Sequence, residues 1–296
     1  MVDASMIECV WRGRATLGEG PLWCPERGAA GQLLFVDILG KRLHAYDLAS
    51  GNTQGWELEE ACCWLVPRDD GDGFIAGLRS RLVHLRLNES GPTIVAEWAT
   101  PGGEPAGNRF NDAKVDPHGR LWFGSMDDDA VRSSGALYRL DREGPARVDD
   151  GYRVANGPAI SPDGRTLYHS DTPRRIIYAF DLSVSGELSS KREHIRFSET
   201  QGFPDGMTCD AEGGLWVAHW DGGRLSRFRP DGGLDETLTL PASRVTSCAF
   251  GGTQLDQLFI TTAALERDQE GVAGGLFRVV PGVKGVPLPA CAIAAL

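Results

Sequence analysis

The chain has 296 residues, 38 of them glycine and 8 tryptophan, with a formal net charge of −11. That charge excludes a nucleic-acid backbone as the principal partner, because phosphate binding needs clustered Lys and Arg. No apolar run approaches the ~20 residues of a membrane-spanning helix. The length is ample for a sizeable core, and a glycine-rich chain with many short apolar runs favours an all-β architecture.

Taken in order, the apolar runs repeat. Residues 7–11 read as a spare N-terminal strand. A first unit places strands at 33–37 and 42–47, joined through Gly40, and a third near 54–58. A second unit has runs at 63–67, 73–77, 82–85 and 94–98. A third begins at Asn108-Arg109-Phe110-Asn111-Asp112 and continues through 120–124 and 135–140. The fourth opens on Asn156-Gly157-Pro158, with runs at 166–171 and 176–181. The fifth opens on Gly202-Phe203-Pro204-Asp205-Gly206-Met207, followed by 213–218 and 225–228. The sixth has runs at 246–251, 257–262 and 275–279. A period of about 40 to 50 residues, with four short strands in each repeat, is the signature of a β-propeller. The expectation is all-β: a six-bladed β-propeller in a single domain, 1–296. The 7–11 strand is expected to join the last blade and close the ring, so that no terminal edge stays open. The tail from Pro281 alternates Pro, Gly and small residues and is expected to be peripheral. A β-sandwich with a second β domain fits six similar units poorly.

The seven cysteines are odd in number, and none has CxxC spacing. They read as reduced, mostly buried thiols. The N-terminus has no charged segment leading into an apolar one, so no signal peptide is expected. The expected protein is a cytoplasmic monomer without a membrane partner.

In a propeller, the connections that enter the innermost strands line one mouth of the central channel. Several units carry a polar residue at that step: Gly18-Glu19-Gly20-Pro21, Asn111-Asp112, Asn156-Gly157-Pro158 and Asp205-Gly206. Delivered from different blades to one place, they form an all-oxygen donor set of the kind that hard divalent cations prefer. Asn and Asp beside Gly or Pro are most often plain turn residues. Pro162-Asp163-Gly164 and Pro230-Asp231-Gly232 are read that way, because each precedes an outer connection. No His or Cys cluster suggests a zinc finger. Ser161 lacks a nucleophile-elbow context. His118 sits in a Pro-His-Gly turn at the surface, and His219, beside Trp220 and Asp221, is a weaker candidate for the channel mouth. Trp122 and Trp216 read as blade core.

Four of these stretches resemble the motifs of the senescence marker protein/gluconolactonase/regucalcin family, and the bacterial sugar lactonase branch most of all. They are Thr16-Leu17-Gly18-Glu19-Gly20-Pro21-Leu22-Trp23, the segment from Asn108 to Asp116, Asn156-Gly157-Pro158 with Ser161-Pro162-Asp163-Gly164, and Pro204-Asp205-Gly206-Met207 with Gly213-Gly214-Leu215-Trp216. They occur in the family's order from about Leu17 to Phe277. The resemblance implies a six-bladed propeller that binds one divalent cation through Glu19, Asn156 and Asp205. Substrate contacts fall on Arg109 and Asn111. A further acidic contact falls on Asp128 or Asp129, where the family usually has Glu. Asp112 supports the site from behind.

The implied activity is hydrolysis of a sugar (aldono-)lactone to the aldonic acid, with a gluconolactone, xylonolactone or arabinonolactone as substrate. Asp205 is expected to hold the ion and to act as the base. Oxygen ligands allow Ca, Zn, Mn, Mg or Fe(II). The alternatives weighed are a calcium-binding regulatory propeller without catalysis and an organophosphate-hydrolysing propeller.

Overall fold

The computed structural model describes residues 7–98 and 100–292. The expected domain span, 1–296, includes positions outside the described residues. The described strands form six four-stranded antiparallel sheets arranged as the blades of a β-propeller. The innermost strands are Gly18–Cys24, Cys62–Pro67, Asn108–Val115, Ala155–Ile160, Phe203–Cys209 and Val245–Gly251. They are almost wholly buried, whereas outer strands such as Thr53–Glu57 and Leu188–Arg196 are largely exposed. This gradient explains why second strands such as Phe74–Leu78 read as continuous apolar runs and the outer ones do not.

The ring closes as expected. Strand Glu8–Trp11 pairs antiparallel with Leu276–Val279, so the last blade takes its outer strand from the N-terminus. Closure covers an edge that would otherwise present unpaired backbone groups. Facing sheets pack through aromatic contacts, as where Trp64 and Phe123 lie 5.7 Å apart, and Phe110 meets Phe123 edge-on at 5.0 Å within one sheet.

Trp122 and Trp216 are fully buried, as blade-core residues should be. Each indole N–H must then find a partner. Trp122 Nε1 donates to Asp116 at 2.9 Å, and Trp216 Nε1 donates to Asp210 at 2.8 Å. The same carboxylates accept from Arg120 and Arg227, both at 2.7 Å. One Asp, one Trp and one Arg therefore clamp a blade in two separate repeats. The expected turns are also present. Asp163 accepts from Ser161 Oγ, and Gly232 N donates to Arg229 O, with Asp163 and Asp231 both exposed.

The tail is not peripheral. Ala211 N donates to Lys284 O and Gly285 N to Leu255 O. Further along, Cys291 N donates to Pro67 O and Ala292 N to Gly119 O. The tail thus crosses the end of the ring where the inner strands finish and ties several blades together. Leu288 and Pro289 line a small space of about 30 Å³ beside Asp112, Lys114 and Ser247. A cavity that size has room for little more than one or two waters. The misreading has a simple cause: small residues and prolines carry no periodicity, but they fit a strap held by backbone hydrogen bonds.

Cys9, Cys24, Cys62, Cys63, Cys209 and Cys248 are free thiols, and of the seven cysteines all but Cys9 are buried. Among the described residues, no helix is long and apolar enough to cross a membrane.

Candidate metal and substrate site

One irregularity recurs near the start of every inner strand. The register with the second strand shifts between Glu19 and Leu22, Cys62 and Trp64, Phe110 and Ala113, Asn156 and Ala159, Pro204 and Met207, and Val245 and Ser247. Such a bulge leaves a residue without a ladder partner and re-aims its side chain. Four of the six bulges carry Glu19, Asp112, Asn156 and Asp205, whose side chains act on one another. The glycines serve this geometry. Gly157 has φ +74°, which an L side chain adopts only with strain. A Cβ on Gly206 would lie 2.3 Å from Ser247 Oγ and 2.8 Å from Thr246 O.

Glu19, Asn156 and Asp205 occupy these steps in three different blades, and all three are buried. Glu19 lies close enough to Asp205 and Asp112 for their charges to oppose its ionisation. Burial, followed by that repulsion, holds its carboxyl well above the usual range. Burial and then Asp112 do the same to Asp205, whose carboxylate is hydrogen-bonded by the Asn156 amide. Asp112 is pushed up to about 6 by burial, against the opposing pull of Lys114. Gathering carboxylates in a dry place with little positive charge is unfavourable unless a cation joins them. The donor set of two carboxylates and one amide oxygen fits a hard divalent cation. Among the described residues, no three of His, Cys, Asp or Glu form a metal-holding group. The set at the mouth has an amide where a third carboxylate would stand.

The orientation of the Asn156 amide follows from its neighbours. Thr172 Oγ1 donates to Pro204 O at 2.8 Å, so its oxygen is free to accept. Asn156 Nδ2 donates to it at 2.9 Å. Asn111 Nδ2 donates to Asn156 Oδ1 at 2.9 Å and to Ala155 O at 2.9 Å. Asn111 Oδ1 in turn accepts from Arg109 Nη1 at 2.7 Å. Both amide hydrogens of Asn111 are thereby engaged. Asn111, expected to contact substrate, here links Arg109 to Asn156 and keeps one lone pair of Oδ1.

Arg109 is 7% exposed, and its Nη1 also donates to Phe110 O at 2.8 Å. Its Nε lies 3.1 Å from Asp128 Oδ1 but makes no hydrogen bond. Of the two acidic candidates, Asp128 is half-buried beside Arg109, whereas Asp129 is exposed. His219 is fully buried, with Nδ1 2.7 Å from Gln201 O and its ring stacked 4.3 Å from Phe197. Its partners are Gln201 and Phe197, and it has no place in the carboxylate cluster. His118 is exposed, as a turn residue should be.

Three participants escaped sequence reasoning. Cys63 stands at the bulge of the second blade, where its thiol is hydrogen-bonded by Arg109 and pushed up to about 11 by burial. Thr246 holds the sixth position and donates to Gly18 O at 2.5 Å. Thr172 orients Asn156. Glycine or proline marks the steps at Glu19, Asn156 and Asp205, but nothing local marks the steps at Cys63 and Thr246.

The family described as SMP-30/Gluconolactonase/LRE-like region matches residues 17–264. Regucalcin of Gallus gallus is 35% identical over 295 residues, covering 95% of this chain and 96% of its own. The 6-deoxy-6-sulfogluconolactonase of Pseudomonas putida is 36% identical over 288 residues, covering 97% of each. Among solved structures, the calcium-binding protein regucalcin of Agrobacterium tumefaciens superposes with a TM-score of 0.88 at 26% identity, covering 96% of this chain and 97% of its own.

Proposed function

The chain belongs to the SMP-30/gluconolactonase/LRE-like family, and from that membership we propose that it hydrolyses a sugar lactone to the aldonic acid at the mouth formed by Glu19, Asn156 and Asp205. The observation that carries this reading is the meeting of two buried carboxylates and an oriented amide from three blades, beside a buried arginine whose Nε lacks a hydrogen bond. A lactonase fits the relatives named for gluconolactone chemistry.

Glu19, Asn156 and Asp205 would hold one divalent cation, and three protein donors leave positions open. When bound, the ion supplies Lewis-acid polarisation of the lactone carbonyl and lowers the proton affinity of a nearby water. The amide of Asn156 adds no charge, so the ion remains more electrophilic than among three carboxylates. Asp205 takes a proton from the attacking water on a carboxylate oxygen and returns it to the ring oxygen as the ring opens. The balance is one water consumed, one ester C–O bond broken, and one acid and one hydroxyl formed. Arg109 donates to a substrate oxygen through its guanidinium, whose planar fork is well suited to it.

Two substitutions test the supporting parts. A hydrogen bond to a charged group contributes about 1.5–3 kcal/mol, so Arg109→Ala lowers kcat/KM about 10- to 100-fold, mainly through KM. An unchanged KM removes Arg109 from the substrate site. Thr172→Val takes away the acceptor that orients Asn156. Loss of such an outer contact weakens metal binding about 10- to 100-fold, measured by chelator competition. An unaltered affinity assigns Thr172 to packing alone. The whole reading is tested by hydrolysis rates over a panel of aldonolactones, with a phosphotriester as control, after chelation and reloading with Ca, Zn, Mn, Mg and Fe(II).

A further inference from the structure

A second guanidinium stands next to the site. Leu78 pairs with Arg81, so Arg79 and Ser80 form a two-residue turn in the second blade. That turn is stapled on both sides: Arg79 N donates to Ala61 O at 2.7 Å, and Phe110 N donates to Arg79 O at 2.5 Å. Phe110 lies between Arg109 and Asn111 on an inner strand, so the backbone of Arg79 is fixed to the strand that carries the substrate-facing residues. Arg79 Nη1 lies 2.8 Å from Asp128 Oδ2, while Arg109 Nε lies 3.1 Å from Asp128 Oδ1. One carboxylate is shared by two arginines. Both guanidiniums and Asp128 also act on the Cys63 thiol, which places the cluster beside the bulges of blades two and three.

Two features point to a ligand. The buried Arg109 keeps an Nε without a hydrogen bond, a condition that buried donors rarely tolerate. Two guanidiniums against one carboxylate also leave the Arg79–Asp128–Arg109 trio with one positive charge in excess. The side chain of Arg79 is 48% exposed, and a guanidinium has five donors, of which Asp128 occupies few. Planar arginine forks favour anionic oxygens, which they can bind in bidentate fashion.

Resting on the lactonase reading, we propose that Arg79 is a specificity-determining residue that selects lactones with an anionic group, such as a sulfonate, on the carbon remote from the ring carbonyl. Arg109 receives the ring or its near oxygens, and Arg79 receives the far anionic oxygens over the shared Asp128. A surface ion pair that merely braces the loop around Asp128 makes no distinction between charged and neutral substrates. A charge-reading residue does.

The test compares kcat/KM for 6-deoxy-6-sulfogluconolactone and for gluconolactone. The metal-loaded wild type favours the sulfonated lactone by about tenfold or more. In Arg79→Gln that ratio falls by about the same factor. Arg79→Lys keeps part of it, and Asp128→Asn raises it by removing the competing carboxylate. A wild-type ratio at or below one, or an unchanged ratio in Arg79→Gln, overturns the proposal. Calorimetric titration with the open acids, gluconate and its 6-sulfonate, gives a readout free of turnover. If the wild type hydrolyses neither lactone but binds the sulfonate more tightly through Arg79, the lactonase reading falls and the anion subsite stands. Equal hydrolysis of both lactones leaves the lactonase reading intact and removes the subsite.

Discussion

Asp205→Ala and Asp205→Asn each lower kcat on the best lactone by about 10³-fold or more, with the propeller intact by circular dichroism. A positioned acid–base group alone contributes about 10²–10⁴, and this carboxylate is also proposed to hold the ion. The two roles separate on reloading at high metal concentration. Lost ligation is then partly restored in Asp205→Asn, while lost proton transfer is not. Stability moves the opposite way from activity. Asp205 is buried among like charges that hold its carboxyl well above the usual range, so the metal-free protein is strained by it at neutral pH. Replacing it with a neutral amide of the same shape raises the melting temperature of the metal-free protein. A variant with near-normal metal-dependent turnover would falsify the assignment.

Removal of the ion is the second large effect. Chelation lowers lactone turnover below about 1% of the loaded enzyme, in line with the loss of Lewis-acid assistance, and a divalent ion restores it. A ligand at 100 times its dissociation constant stabilises the fold by about 2.7 kcal/mol, which for a chain of this size is about 5 °C in Tm. The difference depends on pH with a definite sign. A carboxyl with a raised folded pKa binds its proton more tightly in the fold. Metal-free stability is therefore fullest below the unfolded pKa, near 4, and falls as pH rises toward the folded value. For Asp112 that window runs up to about 6, and Glu19 and Asp205 extend it upward. The gap in Tm between loaded and metal-free protein should thus widen from pH 5 to pH 8. The buried histidines slope the other way. Burial lowers His44 and His219 to about 4 and His169 to about 3. Their contribution is complete above about 6.5 and is lost as pH falls. They are present in both forms, so they cancel in the difference. A gap that is constant with pH contradicts a cation held by these carboxylates.

The repeat was legible in the sequence because a blade is a local object. Its four strands follow one another along the chain, with Gly, Pro and Asp punctuating the turns, and period-2 patterning and turn chemistry act within a few residues. Closure by residues 7–11 could also be anticipated, since a ring with an open edge lacks partners for its backbone. The Asp205 step could be told from the Asp163 and Asp231 turns by blade position alone. The tail could not be read, because backbone hydrogen bonds to Leu255, Pro67 and Gly119 leave no mark on side-chain pattern.

The sequence by itself therefore determined the six-bladed architecture and which residues stand at the entrance to four of the inner strands, Glu19, Asn111-Asp112, Asn156 and Asp205. Tertiary structure alone decided how those residues meet. The bulges set their aim, Thr172 turned the Asn156 amide, both hydrogens of Asn111 went to its neighbours, and Arg79 was brought to Asp128 from another blade. The reason is the range of the forces. Strand propensity and turn chemistry are set between adjacent residues. A shared carboxylate or an oriented amide depends on atoms from 16 to 49 positions apart in the chain, which only the folded ring brings within hydrogen-bond distance.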